Sequence, residues 1–110
     1  MTLKNNERQQ IGAKLEMLFL HQPPNTSNQF GRVVAVTAGA NWYTLRQLEA
    51  RIFARFPAHR DSQAAISARL REVSPANCGL VKEVRIIRSP DKNVYQYRLV
   101  PAPPDMPEAS

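Results

Sequence analysis

The side chains that most often perform catalysis are few in this chain and lie far apart along it. His21 and His59 fall at the end of a predicted helix and in a polar joint, without Cys, His or carboxylate partners at a metal-binding spacing. The single cysteine, Cys78, has no CxxC companion and no histidine that would activate it as a nucleophile. The glycines are scattered, so no phosphate-binding loop is formed. We therefore expect a protein without catalytic activity, metal or cofactor.

A different chemistry, hydrogen bonding to nucleic-acid bases, fits the segment 62–73, SQAAISARLREV. Ile66, Leu70 and Val73 recur at spacings of four and three, which places them on one buried face of a helix. The opposite face carries small or hydrogen-bonding groups, which allow a helix to lie deep in the major groove of B-DNA. This outward face consists of Gln63, Ala64, Ser67, Ala68 and Arg71.

The polar residues of this face each have a chemical partner in DNA. Gln63 is expected to address adenine and Arg71 guanine or a phosphate, while Ser67 suits either base or backbone. Arg60, just before the helix, is placed to contact the DNA backbone, where each cation displaces counterions. Arg69 lies about 60° from the core direction, so we expect it to brace the helix against the sheet or Glu72.

The net charge supports a polyanionic partner. The chain has 15 Lys and Arg against 9 Asp and Glu, a formal charge of +6 and a pI of about 10.1. The segment 44–100 holds 11 of the basic residues and five of the acidic ones, so it carries the whole excess. A positive field on this segment suits nucleic acid.

Helices are predicted on the N-terminal side of this segment. An amphipathic helix over 6–21 has Ile11, Leu15, Leu18 and Phe19 on one face and is ended by two prolines. A helix over 28–38, capped by Ser27 or Asn28, is favoured over the strand that its VVAV run also suggests.

A third predicted helix, 44–56, precedes the joint that leads to 62–73. Thr44 and Gln47 match a capping box at its start, and Asp61 or Ser62 is expected to cap the following helix. The residues 41–43 before it are long enough only for a small strand at a sheet edge. Aromatic residues at strand positions offer base stacking but more often fill a core. They are Trp42, Tyr43, Tyr95 and Tyr97.

Two strands, 80–88 and 94–100, are predicted to form a hairpin closed by the turn 89–93. Lys92 on the turn, with Arg88 and Arg98 on the strands, is expected to contact phosphates or the minor groove. The proline-rich stretch 101–110 is expected to be disordered and unable to pair in a sheet.

The runs NWYTLRQLEARI, SQAAISARLREV and VYQYRLV resemble the small winged helix-turn-helix proteins of bacteriophages and prophages. The resemblance covers 28–100. It implies an α+β fold, a winged helix-turn-helix of three helices plus a β-hairpin wing. The amphipathic helix and linker over 1–27 are expected to precede this domain as an extra N-terminal helix. It also implies that Ser67, Arg69 and Arg71 lie on the third helix and that Tyr95, Tyr97 and Leu99 form the last strand.

Two departures from that pattern are visible. The joint 54–61, ARFPAHRD, is longer and more basic than a tight turn. The helix 6–21 lies outside the shared unit, and its apolar face either packs on the domain or forms a homodimer.

Two functions agree with these features. The first is a DNA-binding transcriptional regulator of phage or mobile-element origin, which reads double-stranded DNA with helix 62–73. The second is a winged-helix module that docks on a host or phage protein. The polar N-terminus and the absence of a long apolar run lead us to expect a cytoplasmic protein without a membrane partner.

Overall fold

The computed structural model describes residues 3–103, with side chains from residue 6 onward. Over this range the fold is α+β, an array of helices followed by one antiparallel hairpin. The elements are α1 (Leu3–His21), α2 (Gln29–Thr37), α3 (Leu45–Arg55), α4 (Gln63–Arg71), α5 (Pro75–Cys78), β1 (Leu80–Arg88) and β2 (Asn93–Pro101). This order is compatible with a winged helix preceded by an extra helix.

Side-chain caps fix where α2 and α3 begin. The Asn28 side chain accepts a hydrogen bond from the Gly31 N–H at 2.8 Å, which confirms it as the cap of α2. Thr44 Oγ1 accepts from the Gln47 N–H at 3.1 Å, and Gln47 Oε1 accepts from the Thr44 N–H at 2.9 Å. The predicted capping box of α3 is therefore confirmed.

One hydrophobic core joins α2, α3 and α4 to the base of the hairpin. The predicted stripe of α4 is confirmed at Ile66 and Leu70, which are buried beside Leu48 and Ile52 of α3, whereas Val73 lies beyond the end of α4 and is half-buried. The core consists of Val33, Val34, Leu48, Ile52, Ile66, Leu70, Cys78, Leu80 and Leu99. Because α4 buries only this stripe, its opposite side faces outward.

Helix α1 packs on the domain and covers the second face of the hairpin. Arg98, Leu99 and Val100 are buried in succession, although neighbouring residues of a strand point to opposite faces. Both faces of β2 are therefore covered at its base, one by the core helices and one by α1. Of the two roles left open for α1, packing on the domain is the one observed.

The expected short strand at 41–43 is reduced to a single pairing. The Tyr43 N–H donates to the Tyr97 carbonyl at 2.9 Å, and the Tyr97 N–H donates back at 2.7 Å. This bridge attaches the segment before α3 to the outer edge of β2. Trp42, one residue earlier, lies on the opposite face of the sheet from Tyr43.

Asp61 does not cap α4, because it forms a buried ion pair. The cap is Ser62, whose Oγ accepts from the Ala65 N–H at 3.1 Å. Asp61 instead accepts two hydrogen bonds from Arg32 of α2, each at 3.0 Å, and one from Gln29 at 2.9 Å. The start of α4 is thereby fixed to α2.

Pro75 and Pro101 both lie within regular secondary structure. Pro75 opens the short helix α5, since a proline at the first helical position loses no hydrogen bond. Gly79 ends α5 with a φ of 73°, the left-handed conformation that glycine favours. Pro101 is the last residue of β2 and pairs with Leu80, so the expectation that the chain cannot pair from this residue on is wrong. Residues 104–110 of the expected disordered tail lie outside the described residues.

Candidate nucleic-acid interface

The outward side of α4 is polar and open, as its sequence predicts. Gln63, Ala64 and Arg71 are exposed, while Ser67 and Ala68 are half-buried. The two half-buried residues are small, so they leave a shallow surface between the longer side chains of Gln63 and Arg71. This surface carries no large apolar group.

The polar side chains of this surface are held by weak or exposed contacts. Gln63 Nε2 donates to Glu49 Oε1 at 2.9 Å, and Arg71 Nη1 donates to Ser67 Oγ at 3.4 Å. The Gln63 side-chain oxygen and its second N–H stay available for a base edge. Exposed hydrogen bonds of this kind can be exchanged for hydrogen bonds to DNA at a small cost in free energy.

A groove at the start of α4 contains two arginines. Arg60 lies over the ring of Phe53, with its guanidinium carbon 4.2 Å from the ring centre. Arg46 of α3 lines the same groove of about 490 Å³, beside Glu49 and Ser62. Arg46 and Arg60 are 14 positions apart, and they line one groove only because α3 packs beside the joint that precedes α4.

Arg69 braces α4, as expected. Its Nη2 lies 3.0 Å from Oε2 of Glu72, which follows Arg69 by three positions at the C-terminal end of α4. Arg69 is therefore already engaged and does not belong to the outward face.

The hairpin tip carries two exposed cations. Arg88 and Lys92 flank a turn closed by the Ser89 N–H, which donates to the Lys92 carbonyl at 3.0 Å. The Ser89 hydroxyl donates to the same carbonyl at 2.7 Å. These contacts order the turn, so the two charges project from a defined tip.

Arg98 is not available for DNA, contrary to the sequence-based expectation. Only 7% of the residue is exposed, and its Nε donates to Glu83 Oε1 at 2.7 Å. Its other nitrogens donate to Glu7 at 3.3 and 3.4 Å and to the Ala40 carbonyl at 3.1 Å. The bonds from Arg98 lower the pKa of Glu7. Arg98 therefore ties β2 to α1 and to the loop before α3.

A second arginine-rich groove lies beside Trp42, and no pattern in the sequence predicted it. The guanidinium carbons of Arg85 and Arg98 lie 4.6 and 4.5 Å from the Trp42 ring centre, and that of Arg51 lies 4.9 Å from the Tyr43 ring centre. Arg8 of α1 lines the same groove. We call the groove lined by Arg8, Asn41, Trp42, Gln47, Arg51 and Arg85 the Trp42 groove.

The remaining reactive side chains do not form a site. His21 and His59 are exposed, and Cys78 is packed in the core with its thiol 3.5 Å from the Ser74 carbonyl. Among the described side chains, no three of His, Cys, Asp and Glu lie close enough to hold a metal ion.

Comparisons of the chain with protein-family models, with curated proteins and with solved structures found no match. No helix in the part of the chain that the structure describes has both the length and the apolar character needed to cross a bilayer.

Proposed function

We propose that this protein is a winged-helix DNA-binding protein that inserts α4 into the major groove of double-stranded DNA. The hairpin β1–β2 acts as the wing, with Arg88 and Lys92 on the backbone or in the minor groove. Arg60 contacts the backbone beside the start of α4. A role in transcriptional regulation in a phage or mobile element follows from the resemblance of 28–100 to that class of protein.

The observation that carries the proposal is the imbalance of charge on the surface of 44–100. Asp61, Glu72 and Glu83 are each paired with an arginine, which leaves Glu49 and Asp91 as the acidic residues of this segment without an ion pair among the described residues. The basic residues that stay exposed outnumber them severalfold. They are Arg46, Arg51, Arg55, Arg60, Arg71, Lys82, Arg85, Arg88 and Lys92.

Folding therefore concentrates the positive charge instead of neutralising it. An exposed cation without a carboxylate partner attracts the phosphates of nucleic acid and releases their counterions. A small polar helix face between such cations suits base-edge contacts, because small residues let the helix approach closely.

Selection of bound sequences from random double-stranded DNA, with a mass measurement of the free protein, tests this function. We expect an enriched site, palindromic if the protein is a dimer. A dimer through 6–21 has exposed apolar side chains available, since Met17 and Leu20 are 59% and 75% exposed. Failure to enrich any sequence would argue against sequence-specific binding.

A second function, docking on a host or phage protein, is favoured by one observation. Val84, Ile86, Ile87 and Tyr95 on the hairpin are exposed, and exposed apolar groups of this size are typical of protein contacts. Substitution of Ile86 and Tyr95 by Ser separates the functions. If the variant loses a co-purifying protein partner but keeps its affinity for DNA, docking is supported. If it keeps both the partner and the affinity, docking through these residues is opposed.

A further inference from the structure

We propose that the Trp42 groove binds a phosphate group of the DNA backbone, as a contact additional to α4 and the wing tip. This inference rests on the proposed DNA-binding function and extends it to a part of the surface that contains no residue of α4. The groove has a volume of about 440 Å³. Its arginines come from three elements, since Arg8 lies on α1, Arg51 on α3 and Arg85 on β1.

The guanidinium groups of this groove have donors to spare. Arg85 uses Nε on Gln96 Oε1 at 2.6 Å, and Arg8 uses Nη1 on Asn41 Oδ1 at 2.9 Å. Neither Nη nitrogen of Arg85, and no nitrogen of Arg51, donates to another described residue. Guanidinium donors of this kind match the oxygens of a phosphate in a bidentate geometry.

The local charge is positive. Two carboxylates of this region, Glu7 and Glu83, are both bound by Arg98, whose guanidinium group lies over the Trp42 ring. Arg98 compensates part of the negative charge of Glu7 and Glu83. The positive charges of Arg8, Arg51 and Arg85 together exceed the negative charge that remains, so the net charge of the region is positive. Like charges gathered in one groove repel each other, so an anion in the groove is stabilised.

The aromatic rings hold these cations in place. Arg85 lies over Trp42 and Arg51 over Tyr43, at distances typical of cation–π contacts. Side chains fixed before binding lose less conformational freedom when a ligand arrives. The rings therefore orient the guanidinium groups toward the groove.

The groove is open to solvent, which favours a phosphate of a polymer backbone over that of an enclosed small molecule. Arg8, Asn41, Gln47, Arg51 and Arg85 are all exposed, so a ligand here is not enclosed as a small metabolite would be. A polymer backbone that passes over the surface fits such a site. Arg85 precedes Arg88 by three residues on β1, so the two side chains point to opposite faces of the hairpin and the groove offers a phosphate contact separate from the wing tip.

Trp42 provides a direct readout, because it is the single tryptophan of the chain and lies in the groove. The experiment titrates the full chain with a duplex of random sequence. Binding is followed by anisotropy of labelled DNA, and occupancy of the groove by Trp42 fluorescence. Wild type, Arg51→Gln, Arg85→Gln and the control Arg55→Gln are compared over a range of salt, with circular dichroism to verify folding.

Arg55 is a matched control because it lies on the same helix as Arg51 but not in the groove, with its Nη1 on the Ala35 carbonyl at 3.4 Å. We expect DNA to change Trp42 fluorescence with the same midpoint as the anisotropy. The affinity falls as salt rises, and this dependence should be less steep in Arg51→Gln and in Arg85→Gln. In each, the slope of log affinity against log salt should be smaller in magnitude by about 0.9 than in Arg55→Gln.

The outcomes separate this inference from the proposed function. DNA binding without a Trp42 response, or equal salt slopes for all three variants, overturns the inference and leaves DNA binding by α4 intact. No binding of DNA by anisotropy overturns both.

Discussion

At the scale of single residues, the pair of Arg32 and Asp61 is the most deeply buried ion pair among the residues that the structure describes. Their side chains are 7% and 3% exposed, and Asp61 accepts a third hydrogen bond from Gln29. The hydrogen bonds from Arg32 lower the pKa of Asp61, against the opposing effect of burial. Charges removed from water in this way are tolerated only when their partners are complete.

Asp61→Asn should therefore destabilise the protein by about 3–5 kcal/mol at pH 7, since it leaves Arg32 buried without a counter-ion. The folded pKa of Asp61 lies below its unfolded value, so the pair stabilises fully above the unfolded pKa. That stabilisation is lost as the pH falls through the folded pKa. The gap between wild type and variant, measured by urea unfolding, should shrink below about pH 4.

Asp91→Asn is the control for this prediction. Asp91 is exposed in the hairpin turn, so its loss should change the free energy of unfolding by less than about 0.5 kcal/mol. Equal effects of the two substitutions at pH 7 would contradict the role assigned to Asp61.

The roles of Arg32, Asp61 and Arg98 could not be predicted from local pattern. Arg32 and Asp61 are 29 positions apart, and Arg98 meets Glu7 at a separation of 91. The expectation that Arg98 contacts DNA assigns its side chain to an exposed face of β2. That assignment failed because α1 covers the face, and no pattern within the strand contains this information.

At the scale of elements, the start of α2 depends on a close approach between two parts of the backbone. The loop before α2 passes over Gly31, where an added Cβ would overlap the Asn25 carbonyl. Gly31 is therefore required for packing, in addition to its N–H bond to the Asn28 cap.

Gly31→Ala should destabilise the protein by about 1–3 kcal/mol, although alanine is the better helix former. The matched control is Gly12→Ala in α1, where an added Cβ meets nothing within 4 Å. That change should stabilise by up to about 1 kcal/mol. Thermal unfolding of both variants checks this, and stabilisation in both would show that the loop does not restrict Gly31.

Elements whose signals are local were predicted well. Thr44 with Gln47, and Asn28, are confirmed caps because a cap needs only residues three positions apart. The helix α5 was not predicted, because Pro75 reads as a chain break unless the Ser74 cap is noticed, whose Oγ accepts from the Asn77 N–H at 3.3 Å. The sequence signal for it was present as Ser-Pro-Ala-Asn.

At the scale of the whole molecule, folding sorts charge between interior and surface. The side chains of Arg32 and Arg98 are buried, and each forms ion pairs that join distant elements. Most other cations of 44–100 stay exposed near α4, the hairpin tip and the Trp42 groove. Composition predicted the excess of positive charge but not its placement, because placement depends on which arginines the tertiary contacts bury.

The central claim, that α4 reads DNA sequence while the wing holds the backbone, is tested most directly by two substitutions. The affinities of Arg71→Ala and Lys92→Ala are measured on a selected duplex and on a scrambled one at fixed salt. Arg71→Ala should weaken the selected site by about 1–3 kcal/mol with little effect on the scrambled duplex, and Lys92→Ala should weaken both about equally. An unchanged preference for the selected duplex in Arg71→Ala would contradict the claim.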